Sequence, residues 1–449
     1  MTHAATAHLR VSVSNKEILT LALPIAVAML VPQINFIANN IFLGALGEVE
    51  LAVAGITGVY YLIFSAIGYG LNNGLQALIA RRAGENKPRD IGVVFNQGIW
   101  IALKIATVGI ACTYLFAPVV FKQVLADQDK ASMAIRFLYV RIWGLPFLYL
   151  FQMRNGLLVG TNNSRYLIVG TLLEAAINIL LDYALIFGKW GLPHMGFMGA
   201  AWASAISEAA GLVVMMLVVR IIGLLEDLQL ARTRRFNMVV SRLVLMQSLP
   251  LIAQHAISII SWEFFYIMIE HYGTRDLAVS NTMRNVFGVF GCFAWSFAAA
   301  SNTMVSNIIG QGMQHRVQDL IWKIARISLM IALLWCLLLN LAPGLLLKIY
   351  GQDEDFVQYA IPVLRVVSVA LVLMSASTVW LNAVTGTGNT RVNLSIELVA
   401  VIAYVIYVWL VLHVFRLPIA WGWASEWLYW IVMLSMSFTY IRSNKWKKK

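Results

Sequence analysis

The chain has 449 residues, of which 60% are hydrophobic and 12% charged, with a mean hydropathy of +0.76 and a formal net charge of +12. So little polar surface cannot coat a soluble protein of this size, which makes the bilayer its solvent and an all-α membrane protein the expected class. The positive charge does not point to nucleic acid, because the basic residues are spread by loop and not gathered into one reading surface.

Apolar stretches long enough for a helix to cross about 30 Å of hydrocarbon recur twelve times. They lie near residues 18–40, 51–79, 92–117, 133–158, 166–188, 199–221, 244–270, 278–308, 321–347, 361–385, 392–414 and 421–441. Each is a continuous apolar run and not a ~10-residue alternation of apolar and polar residues, which excludes a β-barrel. A tail, residues 1–17 with Arg10 and Lys16, leads into the first span, which carries Pro24 and Asn39. Glu48 and Glu50 follow it, and Arg81, Arg82, Lys87 and Arg89 follow the second span. Asp127 and Asp129 come after the third. The fourth holds Arg154 and Asn155, and the run Gly160-Thr161-Asn162-Asn163-Ser164-Arg165 closes it.

The fifth span contains Glu174, Asn178 and Asp182. A polar linker, residues 222–243 with Arg232, Arg234, Arg235 and Arg242, separates the first group of spans, 18–221, from the second, 244–441. The seventh span bears Pro250, His255 and Glu263, and the eighth bears Arg284. Asp353, Glu354 and Asp355 precede the tenth, and Arg442, Lys445, Lys447, Lys448 and Lys449 fill the tail, 442–449. By the positive-inside bias both termini face the cytoplasm, in agreement with an even number of crossings. The expected location is the bacterial inner (plasma) membrane. The first apolar segment is long enough to span and has no small-residue cleavage site after it, so no signal peptide is expected.

The two groups of spans repeat one another. Pro24 recurs as Pro250, Gly47 as Gly273, Leu51-Ala52 as Leu277-Ala278 and Gly84 as Gly310, all at a constant offset of 226 residues. The run Gly160 to Arg165 recurs as Gly386-Thr387-Gly388-Asn389-Thr390-Arg391 at the same offset. A register held across several hydrophobic segments is the mark of internal duplication. Six spans per half place both halves the same way up, as parallel repeats about an axis along the membrane normal. The expected architecture is two six-helix lobes around a central cavity, an arrangement that suits a transporter. The glycines and asparagines of the repeated runs fit tight turns, and their arginines fit positive-inside charge.

No catalytic signature stands out. There is no Walker-type phosphate loop, no nucleophile elbow and no pair of histidines at ligand spacing, so neither an enzyme nor a metal site is expected. Cys112, Cys292 and Cys336 all fall inside spans, where a free cysteine acts as a small hydrophobe. No cofactor is implied, and a two-lobed cavity within one chain does not require a partner subunit. His255 reads best as a packed polar residue.

A charge at mid-span costs at least ~2.5–3.5 kcal/mol and rarely persists without a task or a partner. Glu174, Asn178 and Asp182 recur at spacing four and stack on one helical face. They form either a protonatable or cation-binding column, with Na⁺ one occupant of Asp182 and Asn178, or a buried ion pair with Arg154. Glu263 lies near the middle of the seventh span. It is either a proton-exchanging group or the partner of Arg284.

These residues resemble the multidrug and toxic compound extrusion family, MATE, within the larger group that includes lipid and polysaccharide flippases. The resemblance spans about Asn15 to Tyr440. It rests on Leu23-Pro24, on Ile41 to Gly47, on the turn Gly160 to Arg165, on Ile177 to Asp182, on Leu249-Pro250 and on Trp262-Glu263. It implies export of organic, often cationic or amphipathic small molecules, driven by inward H⁺ or Na⁺ through alternating access. It also implies a cation cluster at Asn178 and Asp182 and a second site at Glu263. The family usually has an Asp five residues before the first-helix Gly, where this chain has Asn39 before Gly44, and an acidic residue in the tenth helix, which is absent from 361–385. An amide can coordinate Na⁺ but cannot carry a proton at neutral pH.

The expectation is a cation-coupled antiporter in which Asp182, Asn178 and Asn39 take the ion in one lobe and Glu263 acts in the other. Glu174, Asn155, Arg154 and Arg284 are the expected cavity residues. Two alternatives are a flippase for a lipid-linked precursor and a membrane-bound lipid transferase. The first would want a cavity rich in Arg and Lys, whereas Arg141 and Arg365 fall near span ends. The second would want clustered acid and base groups at one interface.

Overall fold

The computed structural model describes residues 9–448 apart from 126, 234 and 349–353. Arg234, Asp353 and Lys449, read above as topological charges, lie outside the described residues. The first half forms α1 (Asn15–Gly44), α2 (Glu48–Gly84), α3 (Pro88–Val124), α4 (Gln128–Gly160), α5 (Leu167–Phe187) and α6 (Phe197–Ile221). The second forms α7 (Met238–Glu270), α8 (Thr274–Gly310), α9 (Val317–Leu341), α10 (Glu354–Gly386), α11 (Thr390–Val408, continued by a π-turn to Val414) and α12 (Ser425–Arg442). No strand occurs among the described residues.

Helices α1 to α11 are all long and apolar enough to cross a membrane. The shorter α12 does not meet that measure: it has 18 residues, carries Glu426 and Arg442, and is split at Ala424 from a short turn, Ile419–Trp423. This is an integral membrane protein of the all-α class.

The duplication is preserved in the fold. Both α2 and α8 are 37 residues long; they begin after the repeat-matched Gly47 and Gly273 and end at Gly84 and Gly310. Asn162 and Gly388, equivalent by the same offset, both hold the left-handed conformation, at φ 62° and 91°. The repeated turns therefore do end their helices.

The glycine that opens each turn has a second task. A Cβ on Gly160 would sit 3.1 Å from the carbonyl oxygen of Gln76, and one on Gly386 would sit 2.8 Å from that of Asn302. Gln76 and Asn302 are themselves repeat-matched, so each half uses the same glycine to bring two helices into backbone contact. Small residues at such crossings drive helix association where lipid removes the hydrophobic incentive.

The chain divides into two compact units. The first is built on Val27–Ile252, and the second joins Arg10–Ala26 to Ala253–Lys449. The divisions fall inside α1 and α7, two residues beyond Pro24 and Pro250, and not in the linker. A proline inside a helix removes one backbone hydrogen bond and marks where a continuous helix most readily bends. One core cluster of the first unit gathers Leu43, Val53, Phe121, Phe137, Leu138 and Phe197 from five helices. The linker is tied down by α3: Asn96 donates to the Leu230 carbonyl at 2.8 Å, and Gln97 Oε1 accepts from Ser241 Oγ at 2.9 Å.

Candidate functional site

In the first unit the two polar helical faces meet. Asn35 and Asn39 lie one turn apart on α1, as Asn178 and Asp182 do on α5, so each pair shares a face. Asn35 Nδ2 donates to Asn178 Oδ1 at 2.8 Å, and Asn39 Nδ2 donates to the same oxygen at 3.3 Å. Asn178 is 3% exposed and Asp182 1%. Oδ1 of Asn35, Oδ1 of Asn39 and both oxygens of Asp182 are buried without a hydrogen-bond partner.

Buried acceptors without donors are costly. Oxygens of this kind are what a small hard cation or a proton would satisfy. Asn39, Asn178 and Asp182 are the three residues expected from the sequence to take the ion in this lobe. Asn35 was missed, although its position one turn before Asn39 signals the same face.

The other residues expected in the cavity of this lobe are differently engaged. Glu174 is half-buried against Gly211 of α6, where an added Cβ would lie 3.2 Å from Glu174 Oε2. Arg154 pairs with neither Glu174 nor Asp182; its Nη1 donates to the Leu150 carbonyl of its own helix at 2.9 Å. Asn155 holds Oδ1 buried without a donor.

Arg141, half-buried, is the arginine that pairs with a carboxylate of another helix in this unit. Its Nη2 donates to Glu208 Oε1 at 2.6 Å and its Nη1 to Glu208 Oε2 at 2.9 Å, while its guanidinium lies 3.8 Å from the centre of the Tyr61 ring. Expected near a span end, Arg141 sits instead beside the short 3₁₀ turn Ile142–Gly144 within α4, neutralised by α6.

In the second unit the pairing of Glu263 with Arg284 does not form. Glu263 is half-buried, and Arg284 is exposed with its guanidinium 5.3 Å from the Tyr266 ring centre. Among the described residues of this unit the deeply buried carboxylates are two that the sequence reading passed over. Glu397 on α11 is 1% exposed and accepts from Gln254 Nε2 at 3.0 Å and from Tyr429 OH at 2.6 Å. Glu426 on α12 is 3% exposed and accepts from the indole nitrogens of Trp262 and Trp430, both at 3.0 Å. Their signal was simply a carboxylate inside an apolar span, the same signal carried by Glu208 on α6.

Comparison with known proteins gives a consistent picture. The MatE family model matches residues 24–184 and again 250–410, two stretches in the register of the internal repeat. Over 189 residues the chain is 30% identical to the Probable multidrug resistance protein NorM of Synechocystis sp., a match covering 42% of this chain and 41% of that relative. Over 350 residues it is 22% identical to the protein of the same name from Pasteurella multocida, covering 78% of this chain and 75% of that one. A crystal structure of MATE in complex with MaL6 superposes at a TM-score of 0.90 with 19% identity, covering 100% of both chains. A MOP superfamily transporter from Pyrococcus furiosus superposes at 0.89, again with 19% identity, covering 99% of this chain and 98% of that one. At such identity these structures establish the fold.

Proposed function

This chain belongs to the MatE family, and we propose that it is a secondary active transporter that exports organic, cationic or amphipathic compounds in exchange for H⁺ or Na⁺. The observation that carries the reading is the cluster of Asn35, Asn39, Asn178 and Asp182, in which the oxygens of Asn35, Asn39 and Asp182 are buried without donors. In a bilayer such groups mark ion pathways. Asp182 is the member that can take a proton, and the amides of Asn35 and Asn39 offer oxygen to a sodium ion without adding charge. The multidrug resistance relatives supply the class of cargo.

The coupling is thermodynamic. If the ion and the cargo prefer opposite-facing states, each shifts the population away from the state that binds the other. On this reading the loops rich in Lys and Arg, and both termini, face the cytoplasm. A single chain suffices for transport, and no cofactor takes part. The flippase reading is weaker, because the half-buried Arg141 that could hold a pyrophosphate is already neutralised by Glu208.

The test is efflux of a fluorescent organic cation from proteoliposomes under a pH gradient or a sodium gradient imposed separately. Export that follows one gradient identifies the coupling ion. No export under either, with the protein intact, overturns the proposal.

A further inference from the structure

The first-unit cluster leaves Glu397 unexplained. It lies in the second unit, in a span, and no Lys, Arg or His is paired with it among the described residues. A bare carboxylate so placed is expensive, and its cost is normally met by a countercharge or by protonation. Here neither oxygen meets a cation: Oε2 accepts from Gln254 and Oε1 from Tyr429.

The hydrogen-bond chain behind Gln254 has a direction. Asn393 Nδ2 donates to Gln254 Oε1 at 2.8 Å, and Gln254 Nε2 donates to Glu397 Oε2 at 3.0 Å. Every donor thus points toward the carboxylate, which suits the ionised form. One acceptor is left over, since Asn393, 2% exposed, keeps Oδ1 buried without a partner.

A carboxamide carries its donor and acceptor on opposite arms, so a half-turn of each amide reverses the chain. A proton placed on Glu397 Oε2 would then donate to Gln254 Oε1, and Gln254 Nε2 would donate to Asn393 Oδ1. Reversal removes the buried charge and gives Asn393 Oδ1 a donor, while Asn393 Nδ2 takes the place that Oδ1 leaves. On the opposite oxygen, Tyr429 OH also lies 3.4 Å from Ser258 Oγ, a half-buried hydroxyl through which a proton can pass toward the less enclosed part of α7.

We propose that Glu397 is a proton-binding site in the second unit, and that Gln254 and Asn393 form a reversible amide relay set by its protonation. The titratable and charged groups on the elements around it are Arg391, Tyr404 and Tyr407 on its own helix, His413 on the π-turn, Glu426, Tyr429, Tyr440 and Arg442 on α12, Arg242, His255, Glu263, Tyr266 and Glu270 on α7, and Glu354, Asp355, Tyr359 and Arg365 on α10. Of these, Tyr429 alone bonds to the carboxyl group. As a second seat for the coupling ion, this site rests on the transport reading for its use and not for its existence.

The experiment is an acid-minus-base infrared difference spectrum of the purified full-length protein, which reads the C=O stretch of a protonated carboxyl group. The expected result is a carboxylic-acid band that disappears in Glu397→Gln and persists in Asp182→Asn. Gln254→Leu should move the same band to higher frequency, because the protonated O–H loses its acceptor. A Glu397→Gln spectrum identical to that of the wild type overturns the proposal. Should that variant fail to fold, an unshifted band in both Gln254→Leu and Tyr429→Phe overturns it equally. Absence of export under any gradient would leave a positive titration standing, and loss of the titration would leave export through Asp182 standing.

Discussion

Arg141 reaches from α4 to Glu208 on α6 and closes a two-pronged ion pair inside the first unit. Tyr61 completes the site, its hydroxyl 3.3 Å from each carboxylate oxygen. Breaking such a pair from one side leaves a buried charge alone, so Glu208→Ala should lower stability by about 3–5 kcal/mol. The double variant Arg141→Met/Glu208→Leu should recover most of that loss. Thermal unfolding in detergent of the two variants and the wild type measures both effects.

Gly144 makes room for that pair. A Cβ there would fall within 2.6 Å of Arg141 Nη1 and closer still to Glu208 Oε2. Gly144→Ala should therefore cost about 1–3 kcal/mol through overpacking. Much of that cost should vanish in the Arg141→Met/Glu208→Leu background, where the crowding charges are gone. A mutant cycle by thermal unfolding tests this coupling.

Asp182→Asn should reduce gradient-driven export to the leak rate while leaving the melting temperature close to wild type, since the carboxylate oxygens have no partners to lose. Wild-type uphill export by this variant would remove Asp182 from the mechanism. Asn39→Asp restores a carboxyl where the family usually has one, and should increase the dependence of export on a pH gradient relative to a sodium gradient. Proteoliposome flux under each gradient is the readout.

The repeat-matched glycines at the helix crossings should not tolerate a methyl group. Gly386→Ala meets the backbone oxygen of Asn302 at 2.8 Å, and Gly160→Ala meets Ile79 Cγ2 at 2.7 Å before the Gln76 oxygen at 3.1 Å. Each should destabilise by about 1–3 kcal/mol. Gly386→Ala should be the worse of the two, because a backbone cannot step aside as a side chain can. Parallel unfolding curves of the two variants rank them.

The spans were legible in the sequence because crossing a membrane is a matter of length and composition, properties local to each segment. The duplication was legible because turn glycines recur at one register. Asn178 and Asp182 were visible as a spacing-four pattern on one helix, and their neighbour Asn35 escaped because the pairing of α1 with α5 is a tertiary fact. Glu397 and Glu426 escaped for a different reason. Each stands alone in its span, and only the fold reveals that Gln254, Tyr429, Trp262 and Trp430 converge on them from helices far away in the chain. Of the two readings of Glu263, the pairing with Arg284 did not form, because Tyr266 offers the guanidinium an aromatic face instead.

The two prolines that mark the division of the chain carry a consequence for how such a protein can be taken apart. A cut in the linker separates the repeats, but the first unit runs on to Ile252 and the second draws in Arg10–Ala26. A fragment ending before α7 lacks the half-helix that completes its own unit, and the fragment that remains lacks the half-helix preceding Pro24. Each product of the ancestral duplication is therefore an incomplete part. Either repeat expressed alone would lack the helix segment that the other half of the chain supplies to its unit.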